Sequence, residues 1–213
     1  LHCEMVVAAA EAGVKAIHCE KPMAPTYGEC VRMVQVAEKN GVQLTFDHQR
    51  RFAAPFRKAK ELLKAGAIGD LVRLEASCGN MYDWGTHWFD MLFFYNNETP
   101  VEWVIGQIEP RGGRKIFGVP VEGQGISYFK FANDVRGLMV TGREAGLGAA
   151  NRLIGTEGII EVAPSEDVPL RVWSNSKPGW EVIPLEEGIH SMDCVQRGVL
   201  DLIDALKIGR EPE

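Results

Sequence analysis

The chain reads as an α/β protein in two parts: a helix–strand repeat with parallel strands, then an α+β part with a large, mostly antiparallel open sheet. Three observations predict this. Helix and strand patterns alternate up to Gly66. After Ile68-Gly69-Asp70 longer β-rich segments replace them, so the expected division is residues 1–67 and 68–213. The composition is that of a globular chain: 213 residues, 46% hydrophobic and 24% charged, enough for one large domain or two small ones.

Residues 2–12 are expected as a helix with Met5, Val6, Ala9 and Ala10 on one face and Gly13 just past its end. Residues 14–19 are short and apolar, suited to a buried strand. Thr26 is a good N-cap, and Glu29 three residues on completes a capping box. The helix it opens runs to about Asn40, with Val31, Val34 and Ala37 inward, and residues 42–46 form a second apolar strand. Consecutive strands joined by a helix lie parallel, because the crossover returns the chain to the same end of the sheet. Pro55 opens a further helix with Phe56, Ala59, Leu62 and Leu63 inward, closed by Gly66. Strands are expected at 71–78, 101–108, 123–131 and 135–141, with a hairpin turn at Asn133-Asp134. Shorter ones follow at 152–154, 159–162, 170–173 and 181–183. A last helix over 192–207 carries Val195, Val199, Leu202, Ile203 and Leu206 as its stripe.

The net charge is −6 and no long Lys/Arg run occurs, which argues against a nucleic-acid or anionic-membrane partner. No apolar stretch reaches the ~18–20 residues that span a bilayer. Five cysteines at irregular spacing, without a CxxC, predict neither a disulfide framework nor structural zinc. Reduced thiols fit a cytoplasmic protein. The chain starts at Leu1 inside a helix pattern, so an export signal is left open.

Two segments carry chemistry. Glu20-Lys21-Pro22 follows the first strand, at the carboxyl edge where open α/β sheets place ligands. A free lysine with pKa ~10.4 is a poor base, and burial or a nearby cation brings it toward use. A surface lysine paired with Glu20 is the plainer alternative. In Asp83-Trp84-Gly85-Thr86-His87-Trp88-Phe89-Asp90, Asp83 and His87 share a helix face at i and i+4, with Asp90 extending the row. Trp84, Trp88, Met91 and Leu92 lie on another arc and are expected to anchor the helix. Ammonium, imidazole and carboxylate together suit transfer of a hydroxyl proton, and histidine titrates near ~6.5. The alternatives are an N-cap Asp83 with a structural His87, or a divalent metal on Asp83, His87 and Asp90, which lacks a fourth strong ligand. His48-Gln49-Arg50-Arg51 after the second strand reads as a ligand-facing or solvated loop, and His18 as a hydrogen-bonded core residue. Gly112-Gly113 has no helix after it and fails as a phosphate-binding turn.

The segments AAAEAGVKAIHCEKPMA, HQRRF, GAIGDLVRL, DWGTHWFD and GVLDLIDALKIGREP resemble, in order, those of the Gfo/Idh/MocA oxidoreductases. That resemblance implies the C-terminal part of a Rossmann-type parallel sheet, then a substrate-binding and oligomerisation domain. It implies NAD or NADP as cofactor, a secondary alcohol of a sugar or polyol as substrate, and a homo-oligomer formed through the open sheet. Lys21 matches the lysine that positions substrate and assists proton transfer, His87 the residue that exchanges the hydroxyl proton, and Asp83 the carboxylate that orients them. Glu20, Pro22 and, less closely, Arg51 match positions lining the nicotinamide pocket. Members begin with a glycine-rich phosphate turn, so about 70 residues are expected before Leu1, and a further segment is expected after Glu213. Two other functions fit the same scaffold: NAD-assisted glycoside hydrolysis without net redox change, and non-catalytic sensing of a sugar or dinucleotide.

Overall fold

The computed structural model describes residues 1–143 and 145–213. They form two compact units, Leu1–Phe52 with Met192–Glu213, and Ala53–Ser191. In chain order the first unit holds α1 (His2–Glu11), β1 (Ala16–Cys19), α2 (Tyr27–Lys39), β2 (Gln43–Phe46) and a 3₁₀ turn, Gln49–Phe52. The second holds α3 (Ala54–Lys64), β3 (Leu71–Cys78), α4 (Trp84–Tyr95), β4 (Val101–Glu109), β5 (Lys115–Ile116), β6 (Val119–Pro120), β7 (Gln124–Phe131) and β8 (Arg136–Gly142). It continues through β9 (Asn151–Gly155), β10 (Gly158–Ser165), β11 (Val168–Ser174) and β12 (Lys177–Val182), and α5 (Asp193–Ile208) closes the first unit.

In the first unit β1 and β2 pair in parallel, from Ala16 opposite Gln43 to Cys19 opposite Phe46, as the helix–strand order requires. Both strands are half-buried rather than buried. Thr26 caps α2: its hydroxyl accepts the Glu29 N–H at 3.3 Å and donates to the Glu29 carboxylate at 2.8 Å. The apolar stripes are rotated from expectation. α1 buries Cys3, Val6, Val7 and Ala10 while Met5 is exposed, and α2 buries Met33 and Ala37 while Val34 is exposed. Cys3, Val6, Val7 and Met33 form one cluster with Ile17, Val36, Leu44 and Phe46.

The helix α5 packs on β1, β2 and the 3₁₀ turn, whereas the expected division placed it with the second part. It buries Cys194, Gly198, Leu202 and Ala205, and leaves Val199, Ile203 and Leu206 on its exposed side. The small residues decide which face packs. A Cβ at Gly198 would stand 3.2 Å from the Phe52 ring, so a larger side chain would hold the helix off. α3, expected with the first part, packs on β10 and β11 of the second unit.

The second unit is built on an eight-stranded sheet in the order β12-β11-β10-β9-β3-β8-β7-β4. Every neighbouring pair is antiparallel except β3 and β8. β7 turns into β8 through Asp134, at φ 68°, a conformation Asp tolerates. α4 lies on one face of the sheet: Phe89 packs on Phe129 at 6.0 Å, Phe93 on Phe131 at 5.5 Å, and Trp88 Nε1 donates to the Ser77 carbonyl at 2.9 Å. Met91, Leu92, Phe94 and Tyr95 are fully buried, each contributing roughly 1.5–3 kcal/mol of apolar burial.

The opposite face carries a row of ion pairs across four strands, β3, β9, β10 and β11. Arg73 meets Glu75 at 2.7 Å, Arg152 bridges Glu75 at 3.4 Å and Glu161 at 2.7 Å, and Arg171 meets Glu161 at 2.6 Å. Arg171 also stacks over Trp180 at 4.2 Å. Glu75 and Glu161 are buried beneath these guanidiniums. Beyond them the same face carries exposed Trp103, Ile105, Ile126 and Tyr128. Among the described residues no helix is long and apolar enough to cross a membrane.

Candidate active site

In the first unit the chemistry gathers where β1 and β2 end. Glu20 and Lys21 leave the carboxyl edge of β1, Lys21 half-buried and Pro22 buried, with a cis Lys21–Pro22 peptide. The imidazole of His2 reaches the Pro22 carbonyl at 2.9 Å. Asp47, which sequence reasoning passed over, donates its N–H to the Cys19 carbonyl at 2.8 Å and is buried beside these groups. Burial, and then the Asp47 charge, push the Glu20 carboxyl above the usual carboxylate range. His18 is hydrogen-bonded as expected: Nδ1 to the Thr45 hydroxyl at 2.9 Å, with Nε2 3.7 Å from Asp47. Asp47 is a short polar residue after a strand, which the strand pattern treats as an ending.

His48 to Arg51 is neither a solvated loop nor an open basic cluster. It enters the 3₁₀ turn, where Arg50 is only 4% exposed and burial lowers its guanidinium pKa. Arg51 is half-buried, its N–H donating to the His48 carbonyl at 3.1 Å. The strand-end groups Glu20 and Lys21 suit the nicotinamide end of a dinucleotide, offering one cation and one carboxyl at the sheet edge. Among the described residues no glycine-rich turn precedes a helix to cradle its phosphates.

In the second unit α4 brings Asp83 and His87 to one helix start. Asp83 occupies the N-cap position, but its side chain makes no cap bond. Asn80 does that work: its Oδ1 accepts the Asp83 N–H at 2.7 Å, and its carbonyl accepts the Gly85 N–H at 2.9 Å. The cap reading of Asp83 is thus corrected. Gly85 also has a reason. A Cβ there would lie 3.1 Å from the Asn80 carbonyl oxygen, too close for the bond to Gly85 N to keep its length. One turn on, His87 is 3% exposed.

Trp88, Met91 and Leu92 fill the core as expected, whereas Trp84, expected with them, is 37% exposed. Its ring stands edge-on to His87 at 6.4 Å and to His190 at 5.9 Å. No local motif surrounds His190, and only the fold brings it to this helix. Asp90 is half-buried on the following turn. Among the described residues no group of three or more His, Cys, Asp or Glu is arranged to hold a metal ion.

Residues 1–48 match the model of a family described as Oxidoreductase family, NAD-binding Rossmann fold (Gfo/Idh/MocA). Inositol 2-dehydrogenase 3 of Saccharopolyspora erythraea is 45% identical over 69 residues, 32% of this chain and 20% of that protein. A 2,7-anhydro-N-acetylneuraminate hydratase of Mediterraneibacter gnavus is 40% identical over 72 residues, 34% of this chain and 19% of that protein. The matched stretches thus span about a fifth of the length of these two curated relatives. A levoglucosan dehydrogenase solved with NADH and levoglucosan superposes with a TM-score of 0.79 at 21% identity, covering 99% of this chain and 69% of that one. Over its first 48 residues the chain thus matches the Gfo/Idh/MocA family model, and along nearly its whole length its fold is like that of the levoglucosan dehydrogenase.

Proposed function

We propose that the protein is an NAD(P)-linked dehydrogenase acting on a secondary alcohol of a sugar or polyol, with Lys21, Asp83 and His87 handling the proton. The observation that carries this reading is the start of α4, where a buried imidazole and a carboxylate not used as a cap stand one turn apart. Glu20, Lys21, Pro22 and Arg51 hold the nicotinamide end of the cofactor, which when bound exchanges the hydride. His87 takes the hydroxyl proton in oxidation and returns it in reduction. Lys21 assists the proton transfer, and Asp83, beside His87, orients the hydroxyl. The uncovered sheet face, with Trp103, Ile105 and Tyr128 exposed on it, fits a second copy of the chain.

The test is turnover of the full-length protein with NAD⁺ or NADP⁺ across a polyol and sugar panel. Lys21→Ala and His87→Ala should each lower it by about 100-fold or more with the fold intact. Unchanged turnover in both variants refutes the mechanism. The hydratase relative supports a second reading, in which the cofactor is reduced and reoxidised within one cycle. Product formation without net NADH would select it.

A further inference from the structure

Resting on that reading, we infer that Glu122 is the positioning residue for the Asp83–His87 helix start. Glu122 lies in the connection from β6 to β7, 41 positions along the chain from Met81. One carboxylate oxygen takes two short hydrogen bonds, from the Met81 N–H at 2.6 Å and from the Thr141 hydroxyl at 2.6 Å. Met81 belongs to the connection from β3 to α4, between the capping residue Asn80 and Asp83. Thr141 is 2% exposed near the end of β8, the strand that pairs with β3. Glu122 therefore ties the loop carrying the cap to the middle of the sheet, and through it sets where α4 begins.

The space around the network is shaped for it. A Cβ at Gly125 on β7 would stand 2.8 Å from the Thr141 hydroxyl oxygen and 3.0 Å from the Met81 side chain. The strand carries no side chain where the network sits. Two donors converging on one atom require an acceptor with two lone pairs at that reach, which a carboxylate or amide oxygen supplies and an apolar side chain does not. Loss of that acceptor leaves a backbone N–H and a buried hydroxyl without partners, and they recover them only by moving the loop. A displacement of about 1 Å in a catalytic group costs on the order of 100-fold in rate.

The experiment uses the full-length protein and compares Glu122→Ala, Glu122→Gln and Thr141→Val with Lys21→Ala and His87→Ala. Glu122→Ala is expected to lower kcat by about 10- to 100-fold with KM within about threefold, and to displace the pH midpoint of kcat. Glu122→Gln keeps an acceptor oxygen at the same reach and should restore kcat to within about threefold and the midpoint to its original place. Thr141→Val removes one of the two bonds and should fall between them. A folded Glu122→Ala with kcat within twofold and an unmoved pH profile overturns the inference, while the reaction stands if Lys21→Ala and His87→Ala are inactive. Equal losses in the alanine and glutamine variants with unmoved profiles also overturn it. If the alanine variant does not fold, Thr141→Val decides: a displaced profile supports the inference and an unchanged one overturns it. Unchanged turnover in Lys21→Ala and His87→Ala refutes the reaction and the inference together.

Discussion

Replacing Glu161 by alanine tests how the uncovered sheet face holds together. Each of its carboxylate oxygens is gripped by one guanidinium: Oε1 by Arg152 through Nε at 2.8 Å and Nη2 at 2.7 Å, Oε2 by Arg171 through Nε at 2.7 Å and Nη2 at 2.6 Å. The Glu161 side chain is 3% exposed, and the arginines are 29% and 31% exposed. Removing one member of a buried pair costs about 3–5 kcal/mol, because the remaining charge loses its partner without regaining full hydration. Here the arginines reach water and recover part of that loss, so the lower end, about 3 kcal/mol, is expected. At ~2–4 °C per kcal/mol for a chain of this size, the melting temperature should fall by about 6–12 °C. Urea unfolding of Glu161→Ala, Arg171→Ala and the double variant gives the coupling directly. Arg171→Ala should cost much less in the Glu161→Ala background than in the wild type. A Glu161→Ala loss below about 1 kcal/mol, or additive single losses, would show that the row is a solvated decoration rather than a structural element.

Other outcomes can be measured separately. Burial, with smaller contributions from Glu122 and Asp83, pushes the Cys78 thiol up to about 12, so it stays protonated through neutral pH. Iodoacetamide at pH 8 should leave Cys78 unmodified in the folded protein, as read by mass spectrometry, and rapid alkylation there contradicts the burial argument. Glu20 titrates above the ordinary carboxylate range, so its ionisation opposes folding. The penalty is absent below the unfolded pKa and complete above the raised folded one. Glu20→Gln should therefore raise the melting temperature at pH 7 and match the wild type near pH 3, and a difference of the opposite sign at pH 7 would refute this. Ile105 is 68% exposed on the uncovered face, and Ile105→Asp should shift an oligomer to monomer in light scattering. An unchanged mass would place any self-association elsewhere.

Much of the local architecture was legible because it depends on neighbours in the chain. Thr26 with Glu29 marked the start of α2, the spacing of two short apolar runs around a helix specified the parallel pairing of β1 and β2, and Asn133-Asp134 marked the turn between β7 and β8. Glu20, Lys21, Asp83 and His87 stood out for the same reason, since each pattern lies within one turn or one strand end. Tertiary packing alone decided the rest. Periodicity says that α5 has an apolar side but not that small Gly198 and Ala205 lead it inward while Val199 and Ile203 face out. Residue type made Asp83 a natural cap, yet Asn80 takes that role because the loop turns its amide back onto the helix. Glu122 meets Met81 and Thr141, and Glu161 meets Arg152 and Arg171, only through sheet register. Register is settled by the sum of side-chain packing over eight strands, which no single segment contains.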